Sequence, residues 1–435
     1  MALGGGSFYT QNKVIPGSYF NFVSAKTASV AYSDRGIATM PLELDWGVEG
    51  AIFEVTSEDF EKNSEKIFGY AANHEKMKGL RDLFKNIRVL YAYRLNGGGT
   101  KASNAFATAK FGGVRGNDIK IAIQVNVDNT AFYDVKTILG TTVVDVQTVS
   151  AVTELVDNDY VTFKSEMVLE ATAGVALSGG TNGTVDGSKH QDYMDKIESY
   201  SVNTLGVATT DDSTKSLYVN FCKRLRDEIG SKLQVVLYNK AADYEGVINV
   251  KNKTTDNGWT EDSLVYWVTG AAAGCAINKS NLNKIYDGEF TINADYTQTQ
   301  LAQAIKAGEF TFHKVGTSIR VLDDINSLVT VTDTKGDIFK DNQTIRVIDQ
   351  IANDDAVLFN DKYLGIIPND ASGRISFWSD VVKHREGLQN MRAIENFSDA
   401  DVKVSQGADK KSVVVECAIT IVGTMSKLYM TTTVA

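Results

Sequence analysis

The last stretch of the chain, Lys411 to Val434, reads KSVVVECAITIVGTMSKLYMTTTV, and it limits the possible folds more than any other segment. β-Branched residues crowd Ser412 to Val422, Gly423 interrupts them, and a second run spans Leu428 to Val434, which is the pattern of two successive strands. In the first run Val413, Val415, Cys417, Ile419 and Ile421 alternate onto one face, while Val414, Ala418 and Val422 make the other face largely apolar as well. Such a strand asks for cover on both sides. In the second run Leu428, Met430 and Val434 alternate with Tyr429, Thr431 and Thr433, giving an apolar face, a polar face and open backbone edges. At a terminus, edges like these are either a hazard or a connector between molecules. The connector reading places Ser412 to Val422 near its own core, the hinge at Gly423 to Ser426, and Leu428 to Val434 on another subunit.

The opposite end carries a second candidate. Residues 1–35 show little helical periodicity but contain Val14, Ile15, Tyr19, Phe20 and Phe22 in one extended apolar cluster closing at Val23. Tyr19 and Phe20 lie on opposite faces of such a strand. It is either an edge strand packed on its own domain or an arm that adds to a neighbour.

Composition excludes several classes of function. A chain of 435 residues predicts two or three domains. Apolar and charged fractions of 43% and 23% are those of a globular protein, no apolar run approaches a membrane span, and the N-terminus lacks the basic and apolar regions of a secretion signal. Folding in cytoplasm, without membrane insertion, is the expectation. A net charge of -10 argues against nucleic acid, which needs a basic face. Cys222, Cys275 and Cys417 are odd in number and widely spaced, and read as buried free thiols. His74, His190, His313 and His384 show no ligand spacing, so neither a metal nor another cofactor is expected.

Along the chain, Gly36 to Trp46 is strand-like, with Pro41 suiting an edge or bulge. Glu58 to Phe68 and His74 to Phe84 have helical spacing, and Ile87 to Leu95 is a strand. Between residues 100 and 186 the helical period vanishes and short alternating runs replace it, as in a small all-β unit. Gly97, Gly98 and Gly99 open this stretch, and Gly179 and Gly180 begin its close. Glycine-rich joints on both sides, with Gly97, Gly98, Gly99, Gly179 and Gly180 as hinges, are the mark of a domain inserted into a host, with flexible boundaries and a position on the outside. An α/β rhythm follows. Thr204 to Thr209, a helix from Thr214 to Ile229 with a stripe of Leu217, Phe221, Leu225 and Ile229, and Leu233 to Tyr238 form a crossover unit of a largely parallel sheet. Further helices are expected at 262–276, 297–307, 341–358 and 376–391, with a hairpin around Gly316. The fold class is therefore mixed α+β and α/β. It comprises an arm (1–35), a first core segment (36–99), the inserted β-rich domain (100–186), a second core segment (187–410) and a C-terminal β arm (411–435).

Candidate chemistry is thin. Gly97-Gly98-Gly99-Thr100-Lys101 has the wrong order for a phosphate loop, Gly112 to Asp118 lacks a dinucleotide turn, and Gly179 to Gly187 opens no helix after a strand. Asp323 and Asp324 are adjacent in an extended segment, so at most one joins any given cluster. Arg346 and Asp349, three apart on a helix, read as an ion pair. No nucleophile and base share signature spacing, and no enzyme is indicated.

One family matches the order of the motifs. Leu282 to Thr330 (LNKIYDGEFTINADYTQTQLAQAIKAGEFTFHKVGTSIRVLDDINSLVT), Asp341 to Ile351, Lys362 to Asp370 and the ending TMSKLYMTTTVA resemble contractile tail sheath proteins of phages and phage-tail-like bacteriocins. Arg35 to Gly47, Gly97 to Ser103 and Phe111 to Ile119 resemble the subgroup from phages of Gram-positive hosts. This resemblance implies a subunit that polymerises helically around an inner tail tube, exchanges its terminal arms with neighbours, and meets baseplate and tail terminator proteins. It also implies contraction that drives the tube through a target envelope, and a place in a virion or bacteriocin tail assembled in host cytoplasm. Two alternatives stand at this point: a cytosolic α/β enzyme with an inserted β-domain, and another tail or baseplate structural protein.

Overall fold

The computed structural model describes residues 35–434. The first core segment contributes β1 (Ile37–Leu42), β2 (Ile52–Thr56), α1 (Ser57–Phe68), α2 (Lys78–Phe84) and β3 (Val89–Arg94). Thr56 starts α1 with a reciprocal cap, its hydroxyl accepting from the Asp59 N–H while the Asp59 carboxylate accepts from the Thr56 N–H. The insertion holds β4 (Ala107–Ala109), β5 (Ile119–Val125), β6 (Tyr133–Leu139), β7 (Thr142–Val149), β8 (Val161–Phe163) and β9 (Thr172–Ala176). After it come α3 (Gly187–Ile197), β10 (Thr204–Val207), α4 (Asp212–Lys223), β11 (Gln234–Tyr238), β12 (Val247–Val250) and α5 (Leu264–Gly274). The chain continues through α6 (Gln298–Lys306), β13 (Glu309–Phe310), β14 (Phe312–Val315) and β15 (Ser318–Val321). It ends with α7 (Asn342–Lys362), α8 (Ala371–Asn390), β16 (Ile394–Glu395), β17 (Val402–Gln406), β18 (Val413–Cys417) and β19 (Thr420–Ile421).

Seven strands form the central sheet in the order β13-β12-β11-β10-β1-β3-β2, with every pairing parallel except β2 on β3. A parallel sheet must be covered on both faces, and the apolar runs in β10, β11 and β12 are buried throughout. One face packs on α1, α2 and α5 through Phe60, Phe68, Leu80, Leu83, Leu264 and Trp267. The other packs on α3 and α4 through Tyr193, Met194, Ile197, Tyr218, Phe221 and Leu225. The small residues of α5 allow close approach: a Cβ on Gly274 would stand 1.8 Å from the Asn86 carbonyl oxygen just beyond α2. The insertion is a separate β-sandwich, with a four-stranded sheet ordered β7-β6-β5-β9 and the pair β4 and β8, closed around its own apolar cluster.

Several expectations are corrected. Helix α3 was not foreseen, although Asp186 caps it and His190, Tyr193, Met194 and Ile197 are its buried residues. Of the stripe expected on the helix from Thr214 to Ile229, Phe221 and Leu225 are buried, but Leu217 and Ile229 are exposed. The helix passes into a π-helical turn, Arg224–Ile229, which rotates Ile229 off the buried face. Arg346 and Asp349 do not pair with each other: Arg346 donates to Asp324 at 2.6 Å, and Arg226 grips Asp349 with bonds of 2.6 and 2.7 Å. Both arginines belong to the joint between the sheet and the C-terminal unit, where Arg35 also donates to the carbonyls of Cys275 and Ala272. Burial, and then the charge of Arg346, pull Arg35 down to about 10. For Arg346 burial opposes the charge, and Asp324 more than offsets it, raising its pKa.

Replacing Arg346 by Met strands the Asp324 carboxylate in the interior. The expected loss is about 3–5 kcal/mol, read from denaturant unfolding of the C-terminal unit against the parent chain.

Candidate inter-subunit surface

The C-terminal unit closes on a fourth apolar cluster, formed by Val347, Phe377, Val381, Val382, Leu388, Ile394 and Val402, with Val413, Ile419 and Ile421 packed on its rim. Strands β17 and β18 lie antiparallel, with Val402 opposite Cys417 and Val404 opposite Val415. Trp378 of α8 donates to the Val402 carbonyl at 3.0 Å and fixes β17 against the helix. The Gly407 N–H reaches the Ser412 carbonyl at 2.8 Å, and the Ala418 N–H reaches the Asp401 carbonyl at 3.0 Å. Those two bonds set the phase of the ladder. Ser412, Val414, Glu416 and Ala418 turn their backbone groups toward β17, and Val413, Val415 and Cys417 turn theirs to the far side. Among the described residues no strand pairs with that far side.

The two-sided cover expected for Ser412 to Val422 is absent within one chain. Val413 is half-buried, whereas Val414, Val415 and Cys417 are exposed. Cys417 thereby departs from the expectation of three buried thiols, while Cys222 and Cys275 meet it. The reason is positional: β18 is the outermost strand, and α8 covers β17 instead. Beyond it, Ile421 pairs with Ile394 in a short antiparallel contact between β19 and β16. The Val422 N–H donates to the Ala393 carbonyl at 3.1 Å. Gly423 follows, with open space where a Cβ would stand.

From Leu428 to Val434 no strand forms in the single chain. Leu428, Tyr429 and Val434 are 85%, 88% and 89% exposed, and Met430 is exposed with them. A strand needs a partner for its backbone groups, and this segment has none among the described residues. Val14, Ile15, Tyr19, Phe20 and Phe22 lie outside the described residues. A second exposed apolar group, Val357, Leu364, Ile366 and Ile375, surrounds the turn between α7 and α8. A shallow groove there, lined by Phe359, Tyr363, Ile367 and Phe377, runs to Val413 at the start of β18.

At the other candidate position, the glycine joints, the two ends of the insertion touch. A Cβ on Gly99 would stand 1.9 Å from the Thr181 carbonyl oxygen, and one on Gly180 would stand 2.5 Å from that of Gly113. Glycine is needed there for space. Arg94, buried beneath, donates to the carbonyls of Gly47 and Gly112 at 3.2 and 2.7 Å. Asn182 donates to Asp45 at 2.9 Å, and Trp46 of the core meets Phe111 and Tyr160 of the insertion edge-on and stacked. Gly97 and Gly98 sit beside Glu49, whose carboxylate accepts the Gly98 N–H at 2.6 Å, and Gly179 has open space at its Cβ position. Of the acidic pair, Asp324 is buried on Arg346 while Asp323 accepts the Asp324 N–H. Among the described residues no helix is long and apolar enough to cross a membrane.

The described residues thus combine an α/β core, an inserted β-sandwich and a terminal unit whose outer strand has a bare edge. Four family models match in chain order: tail sheath protein Gp18 domain III N-terminal region (35–95), phage tail sheath β-sandwich domain (97–182), phage tail sheath central domain (183–327) and phage tail sheath C-terminal domain (334–435). The chain is 32% identical to the phage-like element PBSX protein XkdK of Bacillus subtilis, over 98% of this chain and 99% of that protein. Among solved structures it resembles the sheath tail protein from Desulfitobacterium hafniense, with a TM-score of 0.83, 36% identity, and coverage of 95% and 99% of the two chains. It also shares its fold with the helical sheath of the anti-feeding prophage in the contracted state, with a TM-score of 0.57, 12% identity, and coverage of 97% and 99%. The chain belongs to the phage tail sheath proteins, a family of virion structural components.

Thiol labelling tests the exposure pattern. Burial pushes the Cys222 thiol up to about 12 and also raises that of Cys275. In the unassembled native chain a maleimide should modify Cys417 alone, and all three cysteines should react only after denaturation, as read by intact mass.

Proposed function

We propose that the chain is the repeating subunit of a contractile sheath, polymerising helically around an inner tail tube. The observation that carries this reading is an unpaired strand edge on β18 in the same unit as an exposed, alternating apolar segment without a partner. Donor segment and acceptor edge are different patches. A contact between unlike patches is head-to-tail, and when its rotation does not close it generates a helix. Leu428, Tyr429, Met430 and Val434 are the donated strand, and Val413, Val415, Ile419 and Ile421 belong to the acceptor side and its support. Strand addition supplies directional backbone hydrogen bonds, and alternate side chains set the register. The N-terminal segment with Val14, Ile15, Tyr19, Phe20 and Phe22 acts as a second arm.

Contraction drives the tube through the target cell envelope, with the baseplate as trigger and the tail terminator at the far end. The extended state is metastable, and its free energy is the difference between two sets of interfaces held apart by a kinetic barrier. Such a sleeve requires subunits that move as rigid bodies. The close-packed joint around Gly97, Gly98, Gly99, Gly179 and Gly180 carries the β-sandwich with the core, on the outside of the sleeve. The particle is a virion or bacteriocin tail assembled in host cytoplasm.

Deleting residues 424–435 should abolish tubes in electron micrographs of the purified protein, and ordered tubes from the truncated chain would overturn the arm assignment. Excising residues 97–182, with a short linker across the touching ends, should leave polymerisation intact. Loss of tubes from a folded excised chain would show instead that the sandwich sits in an interface.

A further inference from the structure

Gln343 is the second residue of α7, and its side chain is almost wholly buried. Its amide stands where a neighbouring strand would stand. The Nε2 group donates to the Val422 carbonyl at 2.8 Å, and Oε1 accepts from the Thr424 N–H at 3.2 Å. These two bonds straddle Gly423. Beyond Thr424, among the described residues, no hydrogen bond holds the chain, although Thr424 and Ser426 line a groove with Leu282, Ile305, Ile325 and Leu328. Gly423 itself lacks a positive φ, and a Cβ there would meet nothing within 4 Å. The position makes no use of the freedom for which a hinge glycine is chosen.

We propose that Gln343 is the positioning residue for the C-terminal arm: it fixes where and in which direction the arm leaves its own subunit. The pivot then lies at Met425 to Lys427, and not at Gly423. This inference rests on the reading that residues beyond 424 pair with a neighbouring subunit.

Two physical features support it. First, the anchor is rigid, because α7 is bolted to the core by Arg346 on Asp324 and by Asp349 on Arg226, and Asn342 donates to the same Asp324 at 3.0 Å. An amide on that helix holds the arm's root in one orientation relative to the sheet. Second, the site presents one carbonyl and one N–H, and among side chains of this length only a carboxamide supplies both the donor and the acceptor. A regular helical polymer needs every arm to leave in the same direction. An arm released at Val422 would sweep a wider cone and lower its effective concentration at the acceptor edge.

The test compares four full-length or truncated chains: Gln343→Met, similar in length but without hydrogen bonds, Gln343→Glu, an acceptor only, Gly423→Ala, and the deletion of 424–435. Hydrogen exchange on the unassembled subunit reads the clamp, and electron microscopy reads tubes. In Gln343→Met the Thr424 amide should exchange about tenfold faster, with the rest of the chain unchanged. Ordered tubes should be lost from this variant. Gln343→Glu should keep Thr424 protected and still assemble poorly, because the Val422 carbonyl is unpaired. Gly423→Ala should assemble like the parent. Unchanged exchange in Gln343→Met would overturn the clamp, and faster exchange with normal tubes would overturn its positioning role. Lost tubes in Gly423→Ala would return the pivot to that glycine. If Gln343→Met fails to fold, the Gln343→Glu and Gly423→Ala chains decide the question alone. Normal tubes from the truncated chain would remove the arm reading itself, an outcome distinct from all of these.

Discussion

The joint made by α7 is the interaction on which the architecture turns. Arg346 and Asp324 are both nearly inaccessible, and an ion pair in that position is tolerable only because each partner answers the other. Asp324 is further satisfied by the N–H of Asn281 and the amide of Asn342, so no acceptor of that carboxylate faces the interior alone. Within the next turn Asp349 holds Arg226, and one turn further Asn353 exchanges two bonds with the backbone of Lys232. One helix face thus fastens the sheet to the C-terminal unit. Its first turn reaches the other way, through Gln343, to the root of the tail.

The same economy appears at the insertion. Two glycine-rich segments cross so closely that side chains are excluded, and a buried arginine collects the carbonyls exposed by the crossing. Arginine suits this position because its planar fork offers several donors while its charge survives burial. For Arg94 that burial pulls the pKa down, with Glu49 and Asp45 acting against the shift. Such a seam holds the two ends of the β-sandwich tightly against the core.

Much of the fold could be read from local pattern. The helical spacing of Glu58 to Phe68, the apolar runs at Thr204 to Thr209 and Leu233 to Tyr238, and the loss of helical period in the insertion all act over a few residues, where propensity and spacing have their force. The turn glycine at 316 marked its hairpin for the same reason. What failed was long-range. The spacing of Arg346 and Asp349 suggested a pair within one helix, but each charge found its partner on another element, because folding brought Asp324 and Arg226 against them. Helix α3 carried a legible stripe and cap, yet it stood against glycine-rich sequence that masked it.

The candidate surface divides in the same way. The residues from Val413 to Ile421 determined by themselves that this part of the tail is strand, since alternation and β-branching are local properties, while the equally alternating Leu428 to Val434 forms none in the single chain. Which strand would be left bare depended on tertiary structure: α8 covers β17, and β18 is left with one paired edge. Tertiary structure also placed Gln343, 79 residues from Val422 in sequence, against the tail root. No spacing rule reaches that far, because a single amide answering one carbonyl and one N–H exists only once α7 has been set against the core.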